Sequence, residues 1–531
     1  MKAETSIMAP ETIPALLTHA ARRHAGTAAL EEDGELIDYA ELPGRVADVA
    51  RGLLAVGVEP GDRVAIWAPN EVRWVLAALA IHSVGAVLVP LNTRMKGREA
   101  SDILARSGAR LLFHAGDFLG QDYAALLDGL IPSSLTHRVL VSERGAPGHE
   151  GLIAWEAFLD GGREVPEEEV ALRAAAVRPE HLSDLLFTSG TTGQPKGVMS
   201  EHGQNLRAFG EYSRIIGLRP GDRYLIINPF FHAFGYKAGW LSCLLAGATI
   251  LPQAVFDAAE VLERIDRERI SVLPGPPTLY LSLLSDPRLA AADLGSLRVA
   301  VTGSSSIPPV LVRRMRDELG FEVVTTAYGL TECGGLATIC DPGEDAETIA
   351  HTSGRAIPGT EVSIRDTAGR HLPAGESGEV CLRGFHVMRG YFDSPDATAE
   401  AIDEEGWLHT GDVGSLDERG NLRITGRLKD MFIVGGFNCY PAEIEAMLLE
   451  HPEVAQCAVI GVPDERMGEV GCAFIVPRGS EAPELEALIA WSRERMANYK
   501  VPRHVRVVER LPVNASNKVM KPVLQEIYRS A

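Results

Sequence analysis

From about residue 40 to residue 345, helical patterns alternate with short apolar runs: RVAIWA, AVLVPL, ARLLFH, YLIINPF, ATILPQ, ISVLPG and LRVAVTG. Runs this short and this apolar read as strands buried on both faces, and strands joined through helices lie mostly parallel. The pattern therefore predicts α/β architecture with mostly parallel sheets covered on both sides. Between Gly354 and Arg427 the texture changes. Short runs such as GTEVSI, GEVCLRG and GNLRITGR, separated by Gly, Pro and Asp, predict a small antiparallel sheet or barrel. After GRLKD it changes again: Pro441 opens a helix, YPAEIEAMLLE, which is followed by AQCAVIGV, GCAFIVP, a second helix and HVRVVE. That last stretch reads as a compact α+β domain of roughly a hundred residues. The boundary is expected near Lys429, giving domains of 1–428 and 429–531. At 531 residues and 46% hydrophobic content, the chain is too long for one simple core.

One segment resembles a membrane span, WVLAALAIHSVGAVLVPL from Trp74 to Leu91. His82, Ser83 and Gly85 interrupt it, and Gly85 stands where a helix ending near His82 needs a left-handed residue. A buried helix followed by a core strand over Ala86–Val89 is the expectation. The net charge of −21 argues against nucleic acid or an anionic membrane as the main partner. The N-terminal MKAETSIMAP has no apolar core of signal-peptide length, and the seven cysteines contain no C-x-x-C pair. Both features suggest reduced thiols and a cytoplasmic location, without stable membrane insertion. A homodimer is compatible with this reading.

The stretch LLFTSGTTGQPKGV, Leu185 to Val198, ends a buried strand in a glycine-rich turn carrying four hydroxyls and one lysine. Such a turn offers backbone N–H groups, hydroxyls and a movable cation, and holds no acid: a cradle for a phosphate chain. It is not an ordinary P-loop, because Pro195 precedes Lys196 and Gly197 follows it. A solvated turn of small polar residues is the alternative for this loop taken alone.

The loop is followed in order by YGLTE (Tyr328 to Glu332), GWLHTGD (Gly406 to Asp412), GRLKD (Gly426 to Asp430), GGFNCYPAEIE (Gly435 to Glu445) and a lysine near the end, Lys518. This series, spanning nearly the whole chain, resembles the adenylate-forming superfamily of acyl-CoA synthetases, luciferases and adenylation domains. The resemblance implies a large N-terminal region of two doubly wound α/β subdomains plus a small β-barrel-like subdomain, and a small mobile α+β C-terminal domain. It also implies ATP, Mg²⁺ and coenzyme A acting on a small-molecule carboxylic acid. A carboxylate must first attack the α-phosphate of ATP, so two anions meet, and catalysis rests on cancelling charge and holding the reactants in line.

By the same resemblance, Thr188, Ser189, Gly190, Thr191, Thr192, Gly193 and Lys196 bind the departing phosphates. Tyr328 stacks on adenine beside Gly329, Thr331 bonds the α-phosphate, and Glu332 holds Mg²⁺. Asp412 accepts from the ribose hydroxyls with support from Arg427, and Ser304 lies near the nucleotide. Lys518 is the expected catalytic lysine, with Asn517 standing where the family usually has glycine. Lys429 is the expected hinge about which the small domain swings between half-reactions. Gly435 and Gly436 then line the pantetheine tunnel, and Lys500, Arg503 and Arg506 meet the phosphates of coenzyme A or form a solvated basic face.

In NPFFHAFGYKAG, His232 stands where amino-acid adenylation domains carry an aspartate, which disfavours an amino-acid substrate. His232 with Phe230, Phe231 and Phe234 reads as the wall or gate of an apolar acyl pocket, or as a buried structural histidine. Gly334 and Gly335 are expected to leave room there for more than acetate or propionate, a medium or long chain or a bulky cyclic acyl group. The words NPFFH, FGYKAG, VLPGPPTLY and TTAYGLTE are similar to bacterial ligases that activate the hexahydroindanone propanoate left from steroid rings. On that likeness Lys237 donates to a substrate ketone, the alternative being that it reaches solvent or pairs with an acid. The competing functions are an acyl-AMP ligase loading an external carrier protein, a luciferase-like oxygenase, and a non-catalytic nucleotide-binding scaffold.

Overall fold

The computed structural model describes residues 10–142, 151–189, 195–303, 307–434, 437–479, 484–514 and 519–530. Its first sheet has eight strands in the order Gly390–Tyr391, Pro195–Glu201, Leu182–Ser189, Val87–Pro90, Arg63–Trp67, Leu111–Ala115, His137–Ser142 and Leu152–Ala154. Neighbours run parallel from Leu182–Ser189 to Leu152–Ala154. The other two strands join antiparallel, so the two strands that flank the glycine-rich stretch pair with each other at this end of the sheet.

The second sheet runs through Arg223–Ile226, Thr249–Pro252, Ala28–Glu32 and Glu35–Asp38. Single parallel bridges, Tyr224 to Val272 and Val272 to Val299, join it to Val299–Thr302, Val323–Tyr328, Thr338–Ile339 and Arg355–Ala356. Alternate side chains face opposite layers. Tyr224 and Ile226 enter the core shared with the first sheet, whereas Leu225 and Ala300 enter a second core under the helices Ala258–Glu268 and Pro277–Ser285. Both faces are thus buried, as the uninterrupted apolar runs require.

The segment Trp74 to Leu91 divides as expected. The helix Val72–Ser83 is buried at every residue from Trp74 to Ser83, Gly85 has φ +76°, and the strand Val87–Pro90 follows. Among the described residues no helix is long and apolar enough to cross a membrane.

Of the two forms open for residues 354–427, the antiparallel sheet is observed, formed by Thr360–Arg365, Gly378–Gly384, Leu408–Leu416 and Leu422–Arg427. A 3-10 turn, Leu428–Asp430, leads into the C-terminal domain. Its strands Phe432–Val434, Phe437–Cys439, Val454–Asp464, Gly468–Pro477 and His504–Val507 form one sheet, and the helices Pro441–Leu448, Leu485–Arg495 and Lys521–Ser530 accompany it. Phe432, Ile444, Val459, Phe474 and Leu524 make a core of its own.

Candidate functional site

The hairpin of Leu182–Ser189 and Pro195–Glu201 pairs Thr188 with Lys196. Gly197 lies under the Phe187 ring, where a Cβ would come within 3.0 Å. The position after the lysine therefore takes glycine here, in place of the Ser or Thr of a P-loop. Residues 190–194, with Gly190, Thr191, Thr192 and Gly193, lie outside the described residues, as does the Ser189 side chain.

Lys196 Nζ sits 4.9 Å from the centroid of the Tyr391 ring, and the Tyr391 hydroxyl donates to Glu332 Oε1 at 2.9 Å. The cation expected at the phosphates and the carboxylate expected at the metal thus share one side chain. Tyr391 is brought there by strand pairing with Val198, and nothing in the local sequence marks it. Burial and the neighbouring Glu332 raise its phenol well above the usual range.

Thr331 and Glu332 lie on a 3-10 turn, Thr331–Cys333, directly after the strand Val323–Tyr328. The Tyr328 hydroxyl donates to Asp412 Oδ2 at 2.7 Å, and Arg427 Nε meets Asp412 Oδ1 at 2.8 Å. Asp412 is 4% exposed, while the Arg427 side chain is 42% exposed. Burial and Asp412 push the Tyr328 phenol well up, so it remains a hydrogen-bond donor. Tyr328, Asp412 and Arg427, distant in sequence, form one cluster through these two contacts. Gly329 packs on the backbone of Gly335, where a Cβ would lie 2.5 Å from the carbonyl carbon.

The two glycines expected to open the acyl pocket have a nearer cause. Gly334 has φ +69° and Gly335 φ +102°, and a Cβ on Gly335 would fall 2.7 Å from the Ala233 Cβ. Backbone conformation and the approach to the short helix Ala233–Gly235 account for them, whatever acid is bound. His232 caps that helix, exposed, with Nδ1 accepting from the Phe234 N–H at 3.2 Å. It is therefore not the buried histidine of the alternative reading. Phe234 is half-buried, whereas Phe230 belongs to the core against Trp74 and is no gate.

Lys237 requires a correction. It lies in a π-helical segment, Tyr236–Leu241, and is wholly buried, as is its partner Asp184, whose Oδ1 is 3.1 Å from Lys237 Nζ. Lys237 also donates to Ser200 Oγ at 3.0 Å, while Ser183 and Asn205 donate to Asp184 Oδ2 at 2.7 and 2.8 Å. A dry ammonium held by a carboxylate is not at the disposal of a substrate ketone, so the pairing alternative is the one observed. Asp184 was the available signal: a charge inside the buried run LLF's strand demands a partner.

Lys429 is exposed on the 3-10 turn after Arg427. Lys500 Nζ pairs with Glu443 Oε1 at the edge of a cleft lined by Arg423, Thr425, Tyr440 and Tyr499. Arg506 lies over the Tyr528 ring, 5.0 Å from its centroid. These contacts give Lys500 and Arg506 partners within the protein. Ser304, Gly435, Gly436, Asn517 and Lys518 lie outside the described residues.

Residues 17–392 match the family described as AMP-binding enzyme, and residues 443–518 match the AMP-binding enzyme C-terminal domain. The chain belongs to the AMP-binding enzyme family. It is 51% identical, over 97% of its length and 99% of the relative's, to 3-[(3aS,4S,7aS)-7a-methyl-1,5-dioxo-octahydro-1H-inden-4-yl]propanoyl:CoA ligase of Mycobacterium tuberculosis. Among solved structures it resembles the anthranilate CoA ligase AuaEII in complex with anthranoyl-AMP, with TM-score 0.86, 27% identity and 98% of both chains covered. ATP-bound MatB from Rhodopseudomonas palustris matches with TM-score 0.84 and 28% identity, covering 98% of this chain and 99% of that one. This AMP-binding enzyme is an acyl-CoA synthetase, using ATP and coenzyme A. The carrier-protein, luciferase-like and scaffold readings are not favoured, since the near-full-length relatives are CoA ligases.

Proposed function

We propose that the enzyme converts a bulky bicyclic propanoate of the hexahydroindanone type to its CoA thioester through an acyl-adenylate. The observation that carries this substrate class is the 51% identity, over nearly the whole chain, to a ligase whose name specifies such an acid. The exposed His232 and half-buried Phe234 support an acyl wall at the short helix Ala233–Gly235.

In this reading the phosphates of ATP enter at Thr188, Ser189, Thr191, Thr192 and Lys196. Lys196 leaves the face of Tyr391, exchanging a weak cation–π contact for a polyanion. The adenosine end settles at Tyr328, Asp412 and Arg427, with Ser304 near it. Among the described residues each Asp412 oxygen carries one protein donor, which leaves lone pairs for ribose hydroxyls. Glu332 fits a magnesium ion: its carboxylate is partly exposed, and among the described residues its Oε1 takes one neutral donor, the Tyr391 hydroxyl. Bound there, Mg²⁺ would neutralise phosphate charge. The carboxylate oxygen of the acid attacks the α-phosphorus, the bond to the bridging oxygen breaks, and pyrophosphate leaves. Thr331 and Lys518 stabilise the charge on the α-phosphate.

The thiol of coenzyme A then attacks the acyl carbon and AMP leaves. For this step the domain 429–531 turns about Lys429, withdrawing Lys518 and bringing Gly435 and Gly436 to the pantetheine arm. The Leu428–Asp430 turn is the short link such a rotation needs. A cytoplasmic location fits the seven free cysteines.

The test is a competition between bicyclic propanoates and straight-chain acids of similar size, with ATP and Mg²⁺, following pyrophosphate, AMP and thioester. Preference for the bicyclic acids supports the substrate class, and equal or better use of straight chains overturns it. Lys429→Pro is expected to keep adenylation and slow thioester formation; unaltered thioester formation places the pivot elsewhere.

A further inference from the structure

Glu379, Cys381 and His409 converge in the antiparallel sheet. Two residues apart on Gly378–Gly384, Glu379 and Cys381 face the same way, and the register sets His409 opposite Cys381. A bulge follows: Glu379 pairs with Val413, so the facing strand carries extra residues between them. Gly411, within that bulge at φ +67°, turns its N–H onto Glu379 Oε1 at 3.1 Å. Asp412 projects from the same bulge.

Cys381 Sγ lies 3.6 Å from His409 Nδ1, Glu379 Oε2 lies 2.9 Å from that nitrogen, and ligand atoms of all three residues fall within 4.8 Å of one another. A tetrahedral zinc ion, bonded at about 2.3 Å to sulfur and about 2.0 Å to nitrogen, sets those two atoms about 3.5 Å apart. The sulfur and nitrogen already have that separation, while the carboxylate must back away from the nitrogen by a few tenths of an ångström and settle at about 3.5 Å from the sulfur, which lies within 4.8 Å of it. The outer contacts are also in place. His409 Nε2 is 3.5 Å from Asp403 Oδ2, and Asp403 accepts from Arg365 Nη1 at 3.2 Å. In the metal-free protein the shorter contact, Nδ1 to Glu379, holds a ring proton there; a metal displaces that proton to solvent, and Asp403 then holds the proton on Nε2 while Nδ1 ligates.

We propose that Glu379, Cys381 and His409 form a binding site for a soft divalent metal of the zinc class, separate from the magnesium partner of Glu332. One carboxylate and one thiolate neutralise the ion, and His409 binds as neutral imidazole with its proton towards Asp403. The Cys381 thiol gives its proton to solvent as the metal–sulfur bond forms. Without a metal, burial and Glu379 push that thiol up to about 12 and keep it inert. The side chains of His409 and Glu379 are 31% and 20% exposed, which leaves an entry route and a fourth position for water. Thiolate and imidazole disfavour Mg²⁺, so the nucleotide's own cation does not compete. Occupancy would clamp strands Gly378–Gly384 and Leu408–Leu416 at the bulge that presents Asp412.

The test is anaerobic Co²⁺ titration of the full-length, chelator-stripped protein, read by absorption without any substrate. One cobalt per chain, with a sulfur-to-cobalt charge-transfer band and tetrahedral d–d bands displaced by Zn²⁺, is the expected result. Cys381→Ser removes the charge-transfer band, Cys457→Ser leaves it, and Asp403→Asn weakens binding roughly ten- to hundredfold. Absence of the band from the stripped wild type, which depends on no variant's folding, overturns the proposal. So does a band that survives Cys381→Ser.

Discussion

Asp412 and Asp184 are both buried strand carboxylates held by a basic side chain, Arg427 at 2.8 Å and Lys237 at 3.1 Å. They differ in what surrounds the cation. The Arg427 side chain is 42% exposed and pairs across the last two strands of the antiparallel sheet, just before the turn into the C-terminal domain. Lys237 and Asp184 are both at 0% exposure, and Ser183, Ser200 and Asn205 supply further hydrogen bonds. A pair that water reaches can exchange partners with a ligand at small cost. A dry pair cannot, because either charge left alone keeps its full desolvation penalty. The Asp412–Arg427 end, where we propose the nucleotide binds, is therefore built from replaceable contacts, and the Lys237–Asp184 layer from fixed ones, tying strand Leu182–Ser189 to the π-helical segment Tyr236–Leu241.

The sharpest way to break this contrast is Lys237→Met. It strands Asp184 in a dry site and should cost about 3–5 kcal/mol of stability in urea unfolding, with the double variant Lys237→Met/Asp184→Leu recovering most of it. A loss below about 1 kcal/mol would show that the pair is not dry. Next in size, and at the nucleotide end, Lys518→Ala should slow adenylation about 10²–10³-fold, the scale for removing one group that stabilises developing charge. Thioester formation from supplied acyl-adenylate should be spared, and equal loss of both half-reactions would count against a lysine used in only one of them.

A third measurement addresses the fixed region through pH. Burial, with the Lys237 charge adding to it, lowers the buried His82 to about 3 from its ordinary 6.5. The folded state thus binds fewer protons than the unfolded chain. The contribution of His82 is complete above pH ~6.5 and is lost as pH falls towards 3, the loss reaching about 2 kcal/mol by pH 5. His82→Gln should flatten the acid limb of the stability profile; an unchanged limb assigns the acid sensitivity to other groups. The smallest effect is expected at the bridge between Lys196 and Glu332. Tyr391→Phe keeps the ring under Lys196 but removes one hydrogen bond to Glu332, worth about 0.5–1.5 kcal/mol. It should raise the Mg²⁺ or ATP requirement by up to about tenfold while kcat changes little. A larger fall in kcat than in apparent Mg²⁺ affinity would make the hydroxyl part of the chemistry.

The sequence alone determined the layered α/β plan, because uninterrupted apolar runs joined by helices leave few ways to bury both faces of a sheet. It determined too the antiparallel texture after Gly354, the left-handed turn at Gly85, and the six ordered motifs that place the chain among adenylate-forming enzymes. Local periodicity and turn chemistry carry such information because they act over a few residues. What only the tertiary structure decided were the pairings between residues far apart in the chain. Tyr391 reaches Glu332 through a two-residue strand, Asp184 holds Lys237 in a dry ion pair, and a bulge gathers Glu379, Cys381 and His409. Whether a lysine greets a substrate or neutralises a neighbour depends on the dielectric around it and on the nearest acid, and both are set by packing rather than by adjacent residues.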